Sequence, residues 1–373
     1  MLAVIGGLGF TTAVLQIVPG LSATDEHAEA RGAVIRSKQL SLLGGFGIAV
    51  VAAPIIWGLS QNISLITVLL GAAGIPVLAF RKVQSSLIRA FERIIPALLP
   101  QAILHPLVVL PGAAFLWWQQ GGLGSEEAML LVLVAAVAIA LTQEAILTRT
   151  VPDAVASVAP SYRTSDWLRV SLPMLMISGS LIILNRTDVI MVGAMVGSAE
   201  AGIYAMSSRI AALIVFGLTA VNTVIAPVIS RLYAEDKLQE LQVSLMMAAK
   251  GILLMVAPVS IGIVVWGQSL LELVGPDFTA GYVPLVVLCV GQSVNALAGS
   301  VGILLNMTGH ERTSARVYAG AAVLNIVLNL LLVPAFGMTG AAIATALTTI
   351  TWNVILIRYV RRTLGLRVTI FGV

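Results

Sequence analysis

Long apolar runs alternate with short polar clusters along this chain, and the length of each run predicts what it forms. A bilayer core takes about 20 apolar residues of helix. Residues 2–18 make one such run. No charge occurs between Lys38 and Arg81. That stretch is about twice the length of one span, so a turn over 57–62 is predicted to close a helical hairpin. Arg93 and Glu126 enclose the next run, interrupted by Pro100, Pro106 and Pro111, and 129–147 follows. A polar connector with Pro152 and Pro160 then separates two halves. Runs at 167–196, 203–232, 251–271 and 282–308 come next. The uncharged stretch from Val317 to Ile357 is again of double length and is broken between Pro334 and Gly340. The pattern predicts an all-α polytopic membrane protein with about 11 transmembrane helices. It is organised as an N-terminal lobe over 1–148, a cytoplasmic connector over 149–166 and a C-terminal lobe with a basic tail over 167–373.

Composition agrees. Hydrophobic residues make up 58% of the chain and charged residues 10%, against about 25% charged in soluble domains. The single Cys289 excludes an internal disulfide and is expected to be a buried, inert thiol. The first residues lack a basic n-region and a small-residue cleavage motif, so they read as a retained span.

Lys and Arg near helix ends are held on the cytoplasmic side. They cluster in alternate loops: Arg31, Arg36 and Lys38; Arg81, Lys82, Arg89 and Arg93; Arg149, Arg163 and Arg169; Arg231, Lys237 and Lys250; Arg312 and Arg316; and the tail from Arg358 to Arg367. The turns at 57–64, 117–126, 197–202, 268–282 and 334–340 contain neither. A cytoplasmic C-terminus is therefore expected. The same alternation puts residue 1 outside, so one further span is expected upstream, which would give about six per half.

The halves also echo each other. Residues 9–22 align without gaps on 217–230, with Gly, Thr, Ile, Pro and Ser coincident, and Phe91-Glu92-Arg93 opens a run as His310-Glu311-Arg312 does. Matching order and orientation argue for two parallel repeats around a central cavity, as in transporters.

Ionised groups in hydrocarbon cost about 3 kcal/mol each and normally face a partner or a wet cavity. Within 184–230, Arg186, Asp188 and Arg209 lie inside apolar runs. Arg186 follows Trp167 by about 28 Å of helix rise, so it falls in the outer half of its span. Arg209 lies a few residues inside the next. Two fixed cations at similar depth suit a phosphate group; the other readings are that they snorkel to the interface or that Asp188 neutralises one. Asp188 is two positions from Arg186 and so leaves the helix on another face, which favours a cross-helix pair with Arg209. Asn222, Asn295, Asn325 and Asn329 either line the cavity and meet sugar hydroxyls or join neighbouring helices. His105, among prolines, either relays protons or is simply hydrogen-bonded. Glu144 either binds a coupling cation or pairs with Arg149. No nucleophile–base–acid set, phosphate-binding glycine loop or Cys/His metal spacing occurs, so neither an enzyme, a metal site nor a nucleic-acid partner is expected.

The segments Asn185-Arg186-Thr187-Asp188, Gly202-Ile203-Tyr204 through Ser208-Arg209, Pro227 to Ser230, Asn325 to Pro334 and Gly337 to Thr345 resemble the multidrug/oligosaccharidyl-lipid/polysaccharide exporter superfamily, in particular its polysaccharide branch of Wzx-like O-antigen flippases. The resemblance covers essentially the whole chain, which begins at what looks like the family's second helix. It implies a MATE-like pair of lobes in a bacterial inner membrane. It also implies a flippase that moves polyprenyl-pyrophosphate-linked oligosaccharide, such as a lipopolysaccharide unit, to the outer leaflet by alternating access. Arg186, Arg209, Asp188, Asn222, Asn325 and Asn329 would meet the substrate. Glu144 or His105 would carry a coupling Na+ or H+, and membrane lipids, a polysaccharide polymerase or glycosyltransferases would be partners. The competing expectations are a cation-coupled multidrug exporter, which would need net acidic groups in its cavity, and a non-transporting membrane partner of a polysaccharide synthase.

Overall fold

A computed structural model describes residues 2–59 and 64–369. The described residues are almost entirely helical and contain no strand. The predicted turn at 57–62 falls partly on 60–63, outside the described residues. Among the described residues, ten helical segments are long and apolar enough to cross a membrane. The last, α14 (Glu311–Thr363), has 53 residues and is two helices merged across a kink at Gly337, where φ is 56° and ψ −135°. A straight helix of that length would measure about 80 Å, far more than a bilayer. Instead the chain doubles back. A Cβ on Gly340 would overlap the Leu332 carbonyl, so the two limbs meet closely where only glycine fits. Counting both limbs recovers the predicted 11 spans.

The chain divides into two compact units, Met1–Leu175 and Met176–Val373. The first contains α1 (Leu2–Gly6), α2 (Phe10–Ala23), α3 (His27–Leu59), α4 (Leu65–Ala90), α5 (Ile94–Gln120), α6 (Ser125–Thr150) and the short α7 (Asp153–Ala156). Helices in lipid gain little from hydrophobic burial against each other, so close backbone contact at small residues carries much of the packing. A Cβ on Gly6 would stand 2.8 Å from the Cα of Gly45, which brings α1 directly onto α3. The polar connector is bound to α3. Arg31 donates to the Val158 carbonyl, the Ser161 amide to the Ala28 carbonyl at 2.9 Å, and Arg163 pairs with Glu29 at 2.7 Å. Arg36 donates to the Thr164 hydroxyl at 3.1 Å and lies over the Tyr162 ring at 4.9 Å.

Helix α8 (Thr164–Met195) leads into the second unit, which holds α9 (Ser198–Ala212), α10 (Ile214–Ala234), α11 (Leu238–Glu272), a 3-10 turn over Pro276–Gly281, α12 (Tyr282–Leu297), α13 (Val301–Met307) and α14. Its core gathers Val192, Tyr204, Ile214, Ile252, Leu285 and Val333. Cys289 is a free, buried thiol in that core, as expected.

The aligned repeat segments fall on α2 and α10, and both place a buried proline, Pro19 and Pro227, inside the helix. Their glycines differ: Gly9 starts α2 in the left-handed region, whereas Gly217 is buried within α10. The second match differs as well. Glu92 is exposed in the turn before α5, while Glu311 is buried in the first turn of α14.

Candidate functional site

Helices α8 and α9 form an antiparallel hairpin around Gly197, which sets Asp188 opposite Tyr204. Asp188 is 6% exposed. The Tyr204 hydroxyl donates to its Oδ2 at 3.0 Å. The two limbs of α14 supply the remaining partners: Asn329 Nδ2 donates to Oδ1 at 2.9 Å, and the Thr345 hydroxyl donates to Oδ2. Asn325 closes the limbs by donating to the Thr345 oxygen at 3.2 Å, and Asn329 also donates to the Asn325 carbonyl at 2.9 Å. The side-chain oxygens of Asn325 and Asn329 are enclosed without a hydrogen-bond partner.

A carboxylate taken out of water needs several donors or a cation to compensate it. Here neutral donors do so, and the expected pairing with Arg209 is not formed: among the described residues no salt bridge joins the two. The reason is geometric. Tyr204, Thr345 and Asn329 already occupy both carboxylate oxygens.

A cavity of about 70 Å³ adjoins the carboxylate, lined among others by Asn185, Asp188, Tyr204, Ser208, Gln292 and Thr345. That is room for a water or a small ion, which needs only about 10–15 Å³. With one carboxylate and several neutral oxygens, the donor set suits a hard monovalent cation or a proton better than a transition metal. No group of acidic, histidine or cysteine side chains able to hold a metal ion is found among the described residues.

Arg186 and Arg209 follow two cavity-lining residues, Asn185 on α8 and Ser208 on α9. Measured from the α8–α9 turn, Arg186 lies about 14 Å and Arg209 about 17 Å along their helices. Both are exposed, and neither makes an ion pair or hydrogen bond among the described residues. Asn222 stands on α10, half-buried, and among the described residues its enclosed oxygen has no partner and no hydrogen bond joins it to the Asp188 cluster.

The other candidates lie in the first unit. Glu144 pairs with Lys38 of α3 and accepts from Gln84 Nε2 of α4 at 2.7 Å. The expected pair with Arg149 is thus replaced, because Glu144 turns inward toward α3 and α4 while Arg149 is exposed at the end of α6. His105 is exposed on α5, with no hydrogen bond among the described residues.

Sequence reasoning missed Tyr204 and Thr345 as partners of Asp188. Reflection through the two turns would have found them. Residues 188 and 204 are equidistant from 196, next to the Gly197 turn, and 325 and 345 are equidistant from 335, next to the Gly337 kink.

A family model described as polysaccharide biosynthesis protein matches residues 1–233, well over half of the chain. The chain belongs to the polysaccharide biosynthesis protein family. A MatE model also matches residues 173–331. Over 165 residues the chain is 30% identical to the probable low-salt glycan biosynthesis flippase Agl15 of Haloferax volcanii, 43% of this chain and 34% of that protein. Over 174 residues it is 32% identical to the probable flippase AglR of the same organism, 46% of this chain and 37% of that protein. The matches thus span about a third of the length of these curated relatives. Among solved structures, MATE in the bent conformation superimposes with a TM-score of 0.84 at 18% identity, over 97% of this chain and 84% of the other. A MOP superfamily transporter from Pyrococcus furiosus gives 0.80 at 18% identity, over 97% and 84%. The superfamily resemblance and the MATE-like, all-α membrane fold are borne out.

Proposed function

We propose that this protein is a flippase for a lipid-linked glycan whose anionic phosphate group is met by Arg186 and Arg209. The observation that carries this reading is that both arginines are exposed and unpaired among the described residues, each directly following a residue that lines the Asp188 cavity. An arginine stays charged at any physiological pH and offers a planar fork to phosphate oxygens. Because Asp188 is engaged elsewhere, neither charge is cancelled, which favours an anionic substrate over the cationic drugs of a multidrug exporter. The family match and the flippase relatives support the same class of cargo.

Asp188, Asn325 and Asn329 are enclosed, so they are assigned to coupling rather than to sugar contact. The carboxylate would load a proton or Na+ in place of its neutral donors, and the two enclosed amide oxygens would turn toward that ion. Emptying and loading this site would bias the alternating-access cycle. Exposed Trp57, Trp117, Trp118 and Trp266 lie beside turns free of Lys and Arg. Aromatic side chains gather at both membrane interfaces, and loops without Lys or Arg favour the outer side, which supports an outer position for these turns and a cytoplasmic C-terminus.

The test is transbilayer movement of a fluorescent polyprenyl-pyrophosphate oligosaccharide in proteoliposomes, with a cationic dye as competitor. Arg186→Ala/Arg209→Ala is expected to slow flipping at least about tenfold, the loss of one or more charge-assisted contacts. Asp188→Asn is expected to abolish dependence on the cation gradient. Dye transport that survives the arginine changes, with no movement of the glycan lipid, would replace the flippase reading with the multidrug one.

A further inference from the structure

Helices α5 and α6 run antiparallel, and between them lies a groove of about 350 Å³. Ile95, Pro96, Leu99, Ile103, Thr142 and Ile146 are among its lining residues. Ile95, Leu99 and Ile103 are largely exposed, so the groove opens at the protein surface. From Ile95 to Leu104 it follows the helix for about 13 Å, close to the depth of one leaflet's hydrocarbon layer of about 15 Å. The groove suits an alkyl chain and offers nothing to sugars. The Thr142 hydroxyl is already given to the Ala138 carbonyl at 2.9 Å.

One end of this groove carries two arginines, with the exposed Glu92 preceding the first. Arg93 immediately precedes α5, and Arg149 lies one turn beyond Ile146 at the end of α6. Both are exposed, and among the described residues neither has an acidic partner. No side chain caps the start of α5, so the positive end of its dipole points the same way. That first turn is held firmly: the Ala97 carbonyl accepts from Ser85 at 3.2 Å and from Gln143 at 3.0 Å.

We propose that the α5–α6 groove is a binding site for an anionic membrane phospholipid, with one acyl chain lying along Ile95 to Leu104 and its phosphate held between Arg93 and Arg149. Basic clusters at the ends of membrane helices bind such headgroups, and the lack of sugar-binding groups distinguishes this site from one for lipid-linked glycan.

The experiment is native mass spectrometry of the full chain after equilibration with mixed vesicles of phosphatidylglycerol and phosphatidylcholine. The wild type is expected to retain one phosphatidylglycerol. Arg93→Ala/Arg149→Ala is expected to weaken retention about thirtyfold, the combined effect of two basic residues at a membrane surface. Thr142→Trp, which fills the groove without touching a charge, should also expel the lipid, whereas Arg93→Lys/Arg149→Lys should keep it. Melting of each variant in the same detergent separates lost binding from lost folding, and the lysine and tryptophan variants decide the matter if the alanine pair unfolds. Equal retention of phosphatidylcholine, or retention unaffected by the tryptophan, would overturn the proposal. So would complete displacement by polyprenyl phosphate at equal concentration, which would assign the groove to the substrate carrier.

Discussion

The two units solve the problem of a buried charge in opposite ways. In the second, Asp188 is surrounded by neutral donors from Tyr204, Asn329 and Thr345. In the first, Arg81 is 7% exposed, yet its Nε and Nη1 are enclosed without a hydrogen-bond partner. Glu144 of the same unit is already taken by Lys38 and Gln84. Charge alone therefore does not predict what a buried ionised group contributes. The partners do, because an unpaired group bears its full desolvation cost while a well-donated one recovers most of it.

The largest expected effect is at the satisfied centre. Asp188→Ala leaves the Tyr204 and Thr345 hydroxyls and the Asn329 amide without their acceptor, and should destabilise the protein by about 2–5 kcal/mol. Asp188→Asn should restore part of that loss. Unfolding in detergent measures both, and a near-neutral alanine variant would erase the contrast between the units.

Arg81→Met should have the opposite sign. Replacing an uncompensated buried charge with an apolar side chain of similar length is expected to be neutral or to stabilise by about 1–3 kcal/mol. A clear destabilisation would mean that the guanidinium has a partner in the membrane, and the two centres would then be alike.

The smallest effect belongs to the surface pair of half-buried Glu235 and exposed Lys237, at 2.6 Å in the turn after α10. The Lys237 hydrogen bond holds the Glu235 carboxyl below its usual range. Its folded-state value is thus depressed, so its contribution to stability is present at neutral pH and is lost as pH falls below about 4. Glu235→Gln should melt very slightly earlier at pH 7 and together with the wild type at pH 3.

The spans were legible in the sequence because charge-free run length is a direct measure of bilayer crossing, and even the double-length run from Val317 to Ile357 resolved into the two limbs of α14. Asp188, Asn325 and Asn329 could be picked out as candidates because polar groups in such runs are rare. What could not be read was pairing. Asp188 looked best matched to Arg209 on charge alone, but charge gives no direction. The choice of Tyr204 and Thr345 depends on how the α8–α9 and α14 turns fold back. The alternative of a Glu144–Arg149 pair failed for the same reason: Arg149 is near in sequence, and Lys38 is near only in space.

The α14 hairpin has a consequence for biogenesis. Thr345 lies 157 residues after the carboxylate it binds. At ordinary rates of synthesis, that interval is about 10–30 s. For that time Asp188 is already made with Tyr204 as its partner, while its last donors, Asn329 and Thr345, are not. The carboxylate therefore bears part of its desolvation cost until the final hairpin supplies those donors.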